Sequence, residues 1–144
     1  MEIEEKYDKI FKYCYMKTKD KHVAEDLTQE TFLRFFENHK YKDVGKEMAY
    51  LYTISRNLCN DYFRQTPTIE LDENLVDEKS NQKKIYIEEA LEKLKDNEKE
   101  LLFLRYTNEE TINDIAKYYQ VSRFVINRRI KKALNNLKEV YEHG

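Results

Sequence analysis

Six basic or amide side chains lie close together near the end of the chain, where two helical patterns meet at a short turn. The segment runs from Thr111 to Leu137, with the turn at Gln120 and Val121, and Ile115 and Ala116 are placed to pack the two helices together. Such a pair is typical of a helix-turn-helix, whose second helix enters the major groove of duplex DNA. The plain alternative is a helical hairpin whose basic face is only solvated.

The six side chains divide into two predicted roles. Those nearest the start of the second helix are candidates for base edges, because Arg and Asn can each make paired hydrogen bonds to a base. The later ones are predicted to bind phosphate. The base-edge candidates are Arg123, Asn127 and Arg128, and the phosphate candidates are Arg129, Lys131 and Lys132.

The distribution of charge supports this division better than the net charge does. The chain has a formal net charge of −2, which by itself argues against DNA binding. Residues 101–144 nevertheless hold eight bases against five acids, whereas residues 67–100 hold six bases against eleven acids. Positive charge therefore gathers at the end predicted to meet phosphate.

Other kinds of chemistry find little support. The two glycines, Gly45 and Gly144, lie in no phosphate-binding motif. Cys14 and Cys59 are far apart in helical apolar patterns, which favours core packing over a disulfide, and the three histidines are scattered. We therefore expect no enzymatic activity, no metal and no cofactor. The lack of a long apolar run or a secretory signal predicts a cytoplasmic protein without membrane insertion.

Apolar periodicity predicts an all-α chain of two small helical domains joined by a flexible linker. Residues 1–65 form the first domain, with helices at about 3–16, 22–38 and 47–65 and a polar turn at 17–21. Ile3 begins the apolar face of the first helix. Residues 66–82, which are acidic and aperiodic after Pro67, form the linker. Residues 83–144 form the second domain, the one that contains the helix-turn-helix.

The second domain is predicted to hold four helices with recognisable caps. The first covers about 85–94. Asn97, with Glu100 three positions later, is the expected cap of the next helix. Thr111 and Ser122 are the expected caps of the two helices of the helix-turn-helix, the last of which runs inward through Ile126, Ile130, Leu134 and Leu137.

Two helices of the first domain carry a second, non-core stripe. On the helix at 22–38, Asp26, Gln29, Glu30 and Leu33 recur at three- and four-residue spacing and share an outer face. On the helix at 47–65, Tyr52, Arg56 and Phe63 lie away from the inward Leu51, Ile54 and Leu58. An acidic stripe suits a basic partner surface, although a merely solvated face is the common alternative.

Three stretches resemble the extracytoplasmic-function (ECF) sigma factors of bacterial RNA polymerase. Residues 24–33, AEDLTQETFL, are similar to the polymerase-binding helix of sigma region 2, and residues 49–64, AYLYTISRNLCNDYFR, to the promoter-melting helix that follows it. Residues 90–137 are similar to region 4, which reads the upstream (minus-35) element. The order of these stretches on either side of a linker makes the resemblance much more specific than a lone helix-turn-helix.

The resemblance implies roles for the two stripes. Asp26, Gln29, Glu30 and Leu33 would bind the clamp helices of the polymerase's largest subunit. Aromatic and arginine side chains of the next helix would meet the opened minus-10 strand by stacking and phosphate contact. These are Tyr50, Tyr52, Arg56, Tyr62, Phe63 and Arg64. For Tyr50 and Tyr62 a place in the core is an equal alternative. The loop at about 39–46 would hold a flipped base.

The chain departs from the family pattern mainly at turns. Gln120 stands where glycine usually allows a positive φ, and Asn108 and Glu109 replace a glycine-containing turn. Tyr50 stands where tryptophan is frequent, and Lys95 where proline is common. We expect these changes to affect local turn geometry rather than membership of the family.

Together, the residues and the resemblance imply an alternative sigma factor that binds core RNA polymerase, directs it to specific promoters and assists their opening. Promoter DNA and core polymerase are the expected partners, an anti-sigma factor remains open, and the free chain is expected to be a monomer. The alternative is a stand-alone helix-turn-helix transcriptional regulator, which would usually dimerise. No long amphipathic dimerisation helix is evident. An enzyme is the third class, with no nucleophile–base pair to support it.

Overall fold

The computed structural model describes residues 2–38, 45–65 and 89–143. All the regular structure in these residues is helical, and none of the helices there is both long and apolar enough to cross a membrane. The predicted linker at 66–82, the first four residues of the predicted helix at 85–94 and the loop at 39–44 lie outside the described residues.

Three helices form the N-terminal half: α1 (Ile3–Thr18), α2 (Lys21–Glu37) and α3 (Glu47–Gln65). Instead of the broad polar turn predicted at 17–21, two residues join α1 to α2. Lys19 ends α1 with a φ of 58°, and the Asp20 carboxylate caps α2 by accepting from the backbone N–H of Val23 at 3.2 Å. Because α1 ends at Lys19 and α2 begins directly after the cap at Asp20, α2 folds back along α1.

The C-terminal half begins with a helical stretch at 89–92. It continues with α4 (Asp96–Leu102), which runs into a π-helical turn (Phe103–Thr107), and then α5 (Ile112–Tyr119) and α6 (Arg123–His143). α5 and α6 with their short joint form the helix-turn-helix.

Two of the three predicted caps are confirmed. The Thr111 hydroxyl accepts from the Asp114 N–H at 3.1 Å, and the Ser122 hydroxyl accepts from the Val125 N–H at 3.3 Å. The prediction for Asn97 is wrong: the cap position is Lys95, two residues earlier, and its side chain makes no cap hydrogen bond. Glu100 is not available as the second half of a capping box because its carboxylate points into the protein, where only 7% of the residue is exposed.

The turns that depart from the family pattern do use positive φ without glycine. Gln120 has a φ of 59° and Glu109 a φ of 55°. A left-handed residue with a Cβ is mildly strained. At Gln120 the turn is held by a hydrogen bond from the Val121 N–H to the Ala116 carbonyl at 3.1 Å.

A single hydrophobic core includes side chains from both halves of the chain. Cys14 and Cys59 belong to it as free, buried thiols, as predicted. Its principal members are Ile10, Tyr13, Cys14, Leu51, Tyr52, Cys59, Leu101, Leu104, Ile115, Tyr118, Ile126 and Ile130. The two helical domains therefore pack against each other in this structure.

Two apolar residues expected to face inward are exposed instead. Ile3 is 46% exposed, because it is the first residue of α1 and lies beyond the packed part of the helix. On α6 the inward series runs through Ala133, which is fully buried, rather than through Leu134. A smaller cluster of Leu94, Leu102 and Ala133 fastens this part of α6 to α4.

Candidate nucleic-acid interface

The recognition helix of the helix-turn-helix is α6. Ile126, Ile130 and Ala133 are buried and attach one side of it to the rest of the protein. The opposite side is open. All six side chains predicted from the sequence to contact DNA are exposed, and two of them, Arg129 and Lys132, also line a cleft between α6 and α4; the six are Arg123, Asn127, Arg128, Arg129, Lys131 and Lys132. The predicted packing of the turn is also present, since Ile115 and Ala116 are buried between the helices.

The positive charge of this face is not neutralised by the part of the chain that the structure describes. Within residues 2–38, 45–65 and 89–143, none of its Arg or Lys side chains forms an ion pair with a carboxylate. Clustered cations without counter-charges create a positive potential that attracts a polyanion. The face therefore has the charge and accessibility that a phosphate backbone requires.

Phe124 is a residue of this face that the sequence analysis missed. It is 71% exposed, and the guanidinium carbon of Arg123 lies 5.2 Å from the centroid of its ring. The signal was present in the spacing, because Phe124 precedes Asn127 and Arg128 by three and four positions. It was overlooked because an aromatic residue at helical spacing is usually assigned to a core.

The acidic stripe lies on the outer face of α2. Asp26, Gln29 and Leu33 are exposed and Glu30 is half-buried, while the opposite face of α2 packs on α1 and α3. The Arg34 Nε lies 3.0 Å from Glu30 Oε1, which partly offsets the acidic charge. The spacing of the stripe continues to Phe36, a second missed residue, which is 55% exposed.

The aromatic stripe of α3 is placed differently from the prediction. Tyr52 is only 2% exposed, and its hydroxyl donates to Glu110 Oε1 at 3.0 Å and accepts from the side-chain amide of Asn108 at 3.0 Å. The guanidinium carbon of Arg56 lies 5.2 Å from the ring centroid of Tyr118. These two side chains contact the C-terminal half rather than an open surface, because α5 packs across this face of α3.

The other predicted minus-10 residues are distributed along α3. Tyr50 is half-buried and lines a cleft of about 550 Å³ that α3 shares with α5. At the opposite end, Tyr62 is half-buried, whereas Phe63 and Arg64 are exposed. The Tyr62 and Phe63 rings meet edge to face at 5.4 Å, and Arg64 Nη1 lies 3.5 Å from Asp61 Oδ1. The structure does not bring the six residues onto one open surface.

Two buried carboxylates join the halves on the covered side of α3. Glu110 is 3% exposed, and its Oε1 also accepts a hydrogen bond from Lys9 Nζ at 2.7 Å. Glu100 accepts hydrogen bonds from the hydroxyls of Tyr13 at 2.6 Å and Tyr118 at 2.8 Å. Hydrogen bonds to a buried carboxylate contribute about 1.5–3 kcal/mol each, so these contacts are a large part of what holds the two halves together.

The tyrosines of this contact form a connected group. The Tyr13 and Tyr52 ring centroids are 5.4 Å apart, and those of Tyr52 and Tyr118 are 5.6 Å apart. Burial, reinforced by the nearby carboxylates, raises the pKa of Tyr13, Tyr52 and Tyr118 above the ordinary tyrosine value, so each hydroxyl keeps its proton as a donor. Sequence reasoning missed Glu100 and Glu110. The available signal was that several core-facing tyrosines must each find a hydroxyl partner.

Comparison with known proteins supports the arrangement of motifs along the whole chain. Residues 3–67 match the family model for Sigma-70 region 2, and residues 90–139 match that for Sigma-70, region 4. The ECF RNA polymerase sigma factor SigM of Bacillus subtilis is 32% identical over 149 residues, covering 94% of this chain and 90% of that protein. SigX of the same organism, also an ECF RNA polymerase sigma factor, is 23% identical, with 92% and 78% covered.

A solved structure shares the fold. The sigma factor RpoE in complex with the anti-sigma factor NepR, from Bartonella quintana, matches with a TM-score of 0.66 at 18% identity, covering 96% of this chain and 92% of that chain. At this identity the likeness concerns the fold alone. The identity to SigM over nearly the full length of both proteins, with both sigma regions in order, shows that the chain belongs to the ECF family of RNA polymerase sigma factors.

Proposed function

We propose that this sigma factor acts through three separate helix faces: α2 binds core RNA polymerase, α6 reads the upstream promoter element, and α3 meets the opened strand. ECF sigma factors are initiation factors that direct RNA polymerase to promoters. We propose that this one performs no chemistry of its own and works in the cytoplasm, where the polymerase is. The observation that carries the proposal is the open basic side of α6, the second helix of the helix-turn-helix.

The proposed domains are residues 1–65 for polymerase binding and minus-10 recognition, 66–82 for the linker, and 83–144 for minus-35 recognition. On α6, Arg123, Asn127 and Arg128 are proposed to contact bases, and the remaining cations to contact phosphate. Their exposure supports this, since none of them has to be uncovered before it can reach DNA. On α2, the exposed acidic and amide side chains offer hydrogen-bond acceptors to a basic partner.

The minus-10 role of α3 requires a change in the arrangement of the halves. Tyr52 and Arg56 cannot stack on bases while α5 covers them. We propose that core polymerase binds the form in which the halves are apart, and so shifts the population away from the packed form. The free chain would then bind promoter DNA through α6 alone, and therefore weakly.

An anti-sigma factor is a further proposed partner. The support is the solved structure of RpoE, which shares the fold and was determined in complex with the anti-sigma factor NepR.

The direct test is promoter-specific transcription by bacterial core polymerase with and without the chain. Reversing the charges of Asp26 and Glu30 to Lys should weaken binding to core enzyme and reduce transcription in parallel, with helicity unchanged. The matched control reverses Glu4 and Glu5, two exposed acids on α1, and should have little effect. Undiminished co-purification of the α2 variant with core polymerase would refute the role of this face.

The same preparation distinguishes the alternative function. A stand-alone regulator would bind its site tightly, as a dimer and without polymerase. A monomeric free chain that binds its site weakly, and binds it tightly only with core enzyme, is the expected result.

A further inference from the structure

Phe124 is an exposed aromatic residue that belongs to neither of the two hydrophobic clusters of the described residues. At 71% exposed it is the most exposed large apolar side chain in the described parts of the chain. It is the second residue of α6, in the turn that Ser122 caps. A phenylalanine left in water loses the free energy that burial would provide. Its position is therefore better explained by something outside this chain.

The geometry of the helix places Phe124 among the proposed base contacts. Successive residues of an α-helix are about 100° apart, so Phe124 lies on the side of α6 opposite the fully buried Ile126. Asn127 and Arg128 follow at three and four positions and share its face. Phe124 thus belongs to the outward stripe at the end of α6 where a recognition helix faces base edges.

The surrounding charge indicates the kind of partner. Arg123 lies against the ring at 5.2 Å, and Arg128, Arg129, Lys131 and Lys132 follow along the open side of the helix. A cationic surface of this kind opposes docking of a basic protein and attracts nucleic acid. In the major groove the one apolar group on a base edge is the C5-methyl of thymine, which phenylalanine can contact.

We infer that Phe124 is a specificity-determining residue that contacts a thymine methyl group in the upstream promoter element. The inference rests on the proposed reading of that element by α6. Three or four residues of helix rise by about 4.5–6 Å, and base pairs are stacked about 3.4 Å apart. The thymine is therefore one or two base pairs from the base that Arg128 contacts. The Arg123 guanidinium lies against the ring and supports it.

The test uses holoenzyme assembled from the full chain and bacterial core polymerase. A duplex library randomised over the upstream element supplies the preferred sequence, and each of its thymines is then replaced singly by deoxyuridine, which lacks only the methyl group. At one thymine, within two base pairs of the position where Arg128→Ala relaxes specificity, the dissociation constant should rise about fourfold, as expected for one buried methyl group. 5-Bromodeoxyuridine, which carries a bromine of similar size to a methyl, should restore binding there.

The variant Phe124→Ala should bind the preferred duplex about tenfold more weakly and lose its sensitivity to deoxyuridine at that thymine. Tyr141→Ala, which removes an exposed aromatic ring at the far end of α6, is the matched control and should retain both affinity and sensitivity. Circular dichroism should show both variants fully helical, because neither side chain is buried.

Three results would overturn the inference, and they are distinguishable. If no thymine is sensitive, or if Phe124→Ala remains as sensitive as the wild type, Phe124 does not read a methyl group, while the role of α6 stands. If the holoenzyme selects no upstream sequence at all, the proposed reading by α6 fails and the role of Phe124 fails with it.

Discussion

The two helices proposed to contact DNA, α3 and α6, differ in how far their proposed DNA-binding faces are exposed to solvent. The outward stripe of α6 is exposed along its length, whereas the corresponding face of α3 is covered by α5, with Tyr52 at 2% exposure. Both helices carry aromatic and cationic side chains in their proposed DNA-binding stripes. The difference in exposure therefore depends on the side chains of each face and on the groups that pack against them.

The chemistry of the side chains explains which face can be covered. A tyrosine can be buried at little cost when its hydroxyl finds one acceptor, as Tyr52 does in Glu110. Several arginines and lysines together would need a buried carboxylate each, and desolvation would offset most of the gain. A face that stacks on unpaired bases can thus be buried within the protein, while a face that binds phosphate remains exposed to solvent.

The largest effect is expected from removing the carboxylate that holds α3 covered. Glu110→Ala deprives both Lys9 and Tyr52 of their partner, and should weaken the packing of the halves by about 3 kcal/mol, because buried polar groups are left unsatisfied. Small-angle scattering should show a larger radius of gyration, and proteolysis between residues 66 and 82 should become faster. Glu139→Ala, at an exposed position on α6, is the control. An unchanged radius and cleavage rate would mean that Glu110 does not keep the halves together.

The next effect concerns the open face of α6, and it compares DNA binding by α6 with DNA binding by α3. Arg128→Ala should cost about 1–3 kcal/mol in binding of the upstream element and relax specificity there, in the free chain and in holoenzyme alike. Arg56→Ala, on the covered face, should leave DNA binding by the free chain unchanged and impair only holoenzyme. Filter-binding measurements on both forms make the comparison. As a phosphate contact, Lys132→Ala should instead weaken all sequences similarly and lower the salt slope by about one. An equal effect of Arg56→Ala on the free chain would show that α3 is already accessible.

A smaller effect is expected from a single hydroxyl of the covered face. Tyr52→Phe keeps the ring contacts with Tyr13 and Tyr118 but removes the donor to Glu110, which should cost about 1 kcal/mol. Denaturant unfolding measures the loss. Tyr141→Phe, which alters an exposed tyrosine, should be neutral. A Tyr52→Phe variant as stable as the wild type would indicate that water replaces the lost hydrogen bond.

The last effect is absent at neutral pH and appears only at alkaline pH. Burial raises the pKa of Tyr52 above the ordinary value of about 10, so on raising the pH the unfolded state loses this proton before the folded state does. Stability should be unaffected by this group below pH 10 and fall above it, by up to about 1.4 kcal/mol per pH unit. The measurement is the difference in slope between the wild type and Tyr52→Phe above pH 10. Parallel slopes would argue against a buried, protonated Tyr52.

Much of the fold and of the open face could be predicted from the sequence because both depend on neighbouring residues. The limits of α3 at Glu47 and Gln65 and the caps at Thr111 and Ser122 are local properties, and they were predicted correctly. The exposure of Arg123 to Lys132 follows in the same way. Once Ile126 and Ile130 face inward, the helical period directs the intervening cations to solvent.

The covered face depended instead on contacts between residues far apart in the chain. Tyr52 and Glu110 are 58 positions apart, and Tyr13 and Glu100 are 87 apart. Nothing in the spacing around Glu100 separated a capping carboxylate from a buried one, and periodicity placed Tyr52 on a second stripe without showing what would lie against it. The sequence by itself determined the helices, the caps at Thr111 and Ser122, and the open basic face of α6. Only the tertiary structure decided that α5 covers α3, because that choice rests on pairing hydroxyls with carboxylates brought together from opposite halves of the chain.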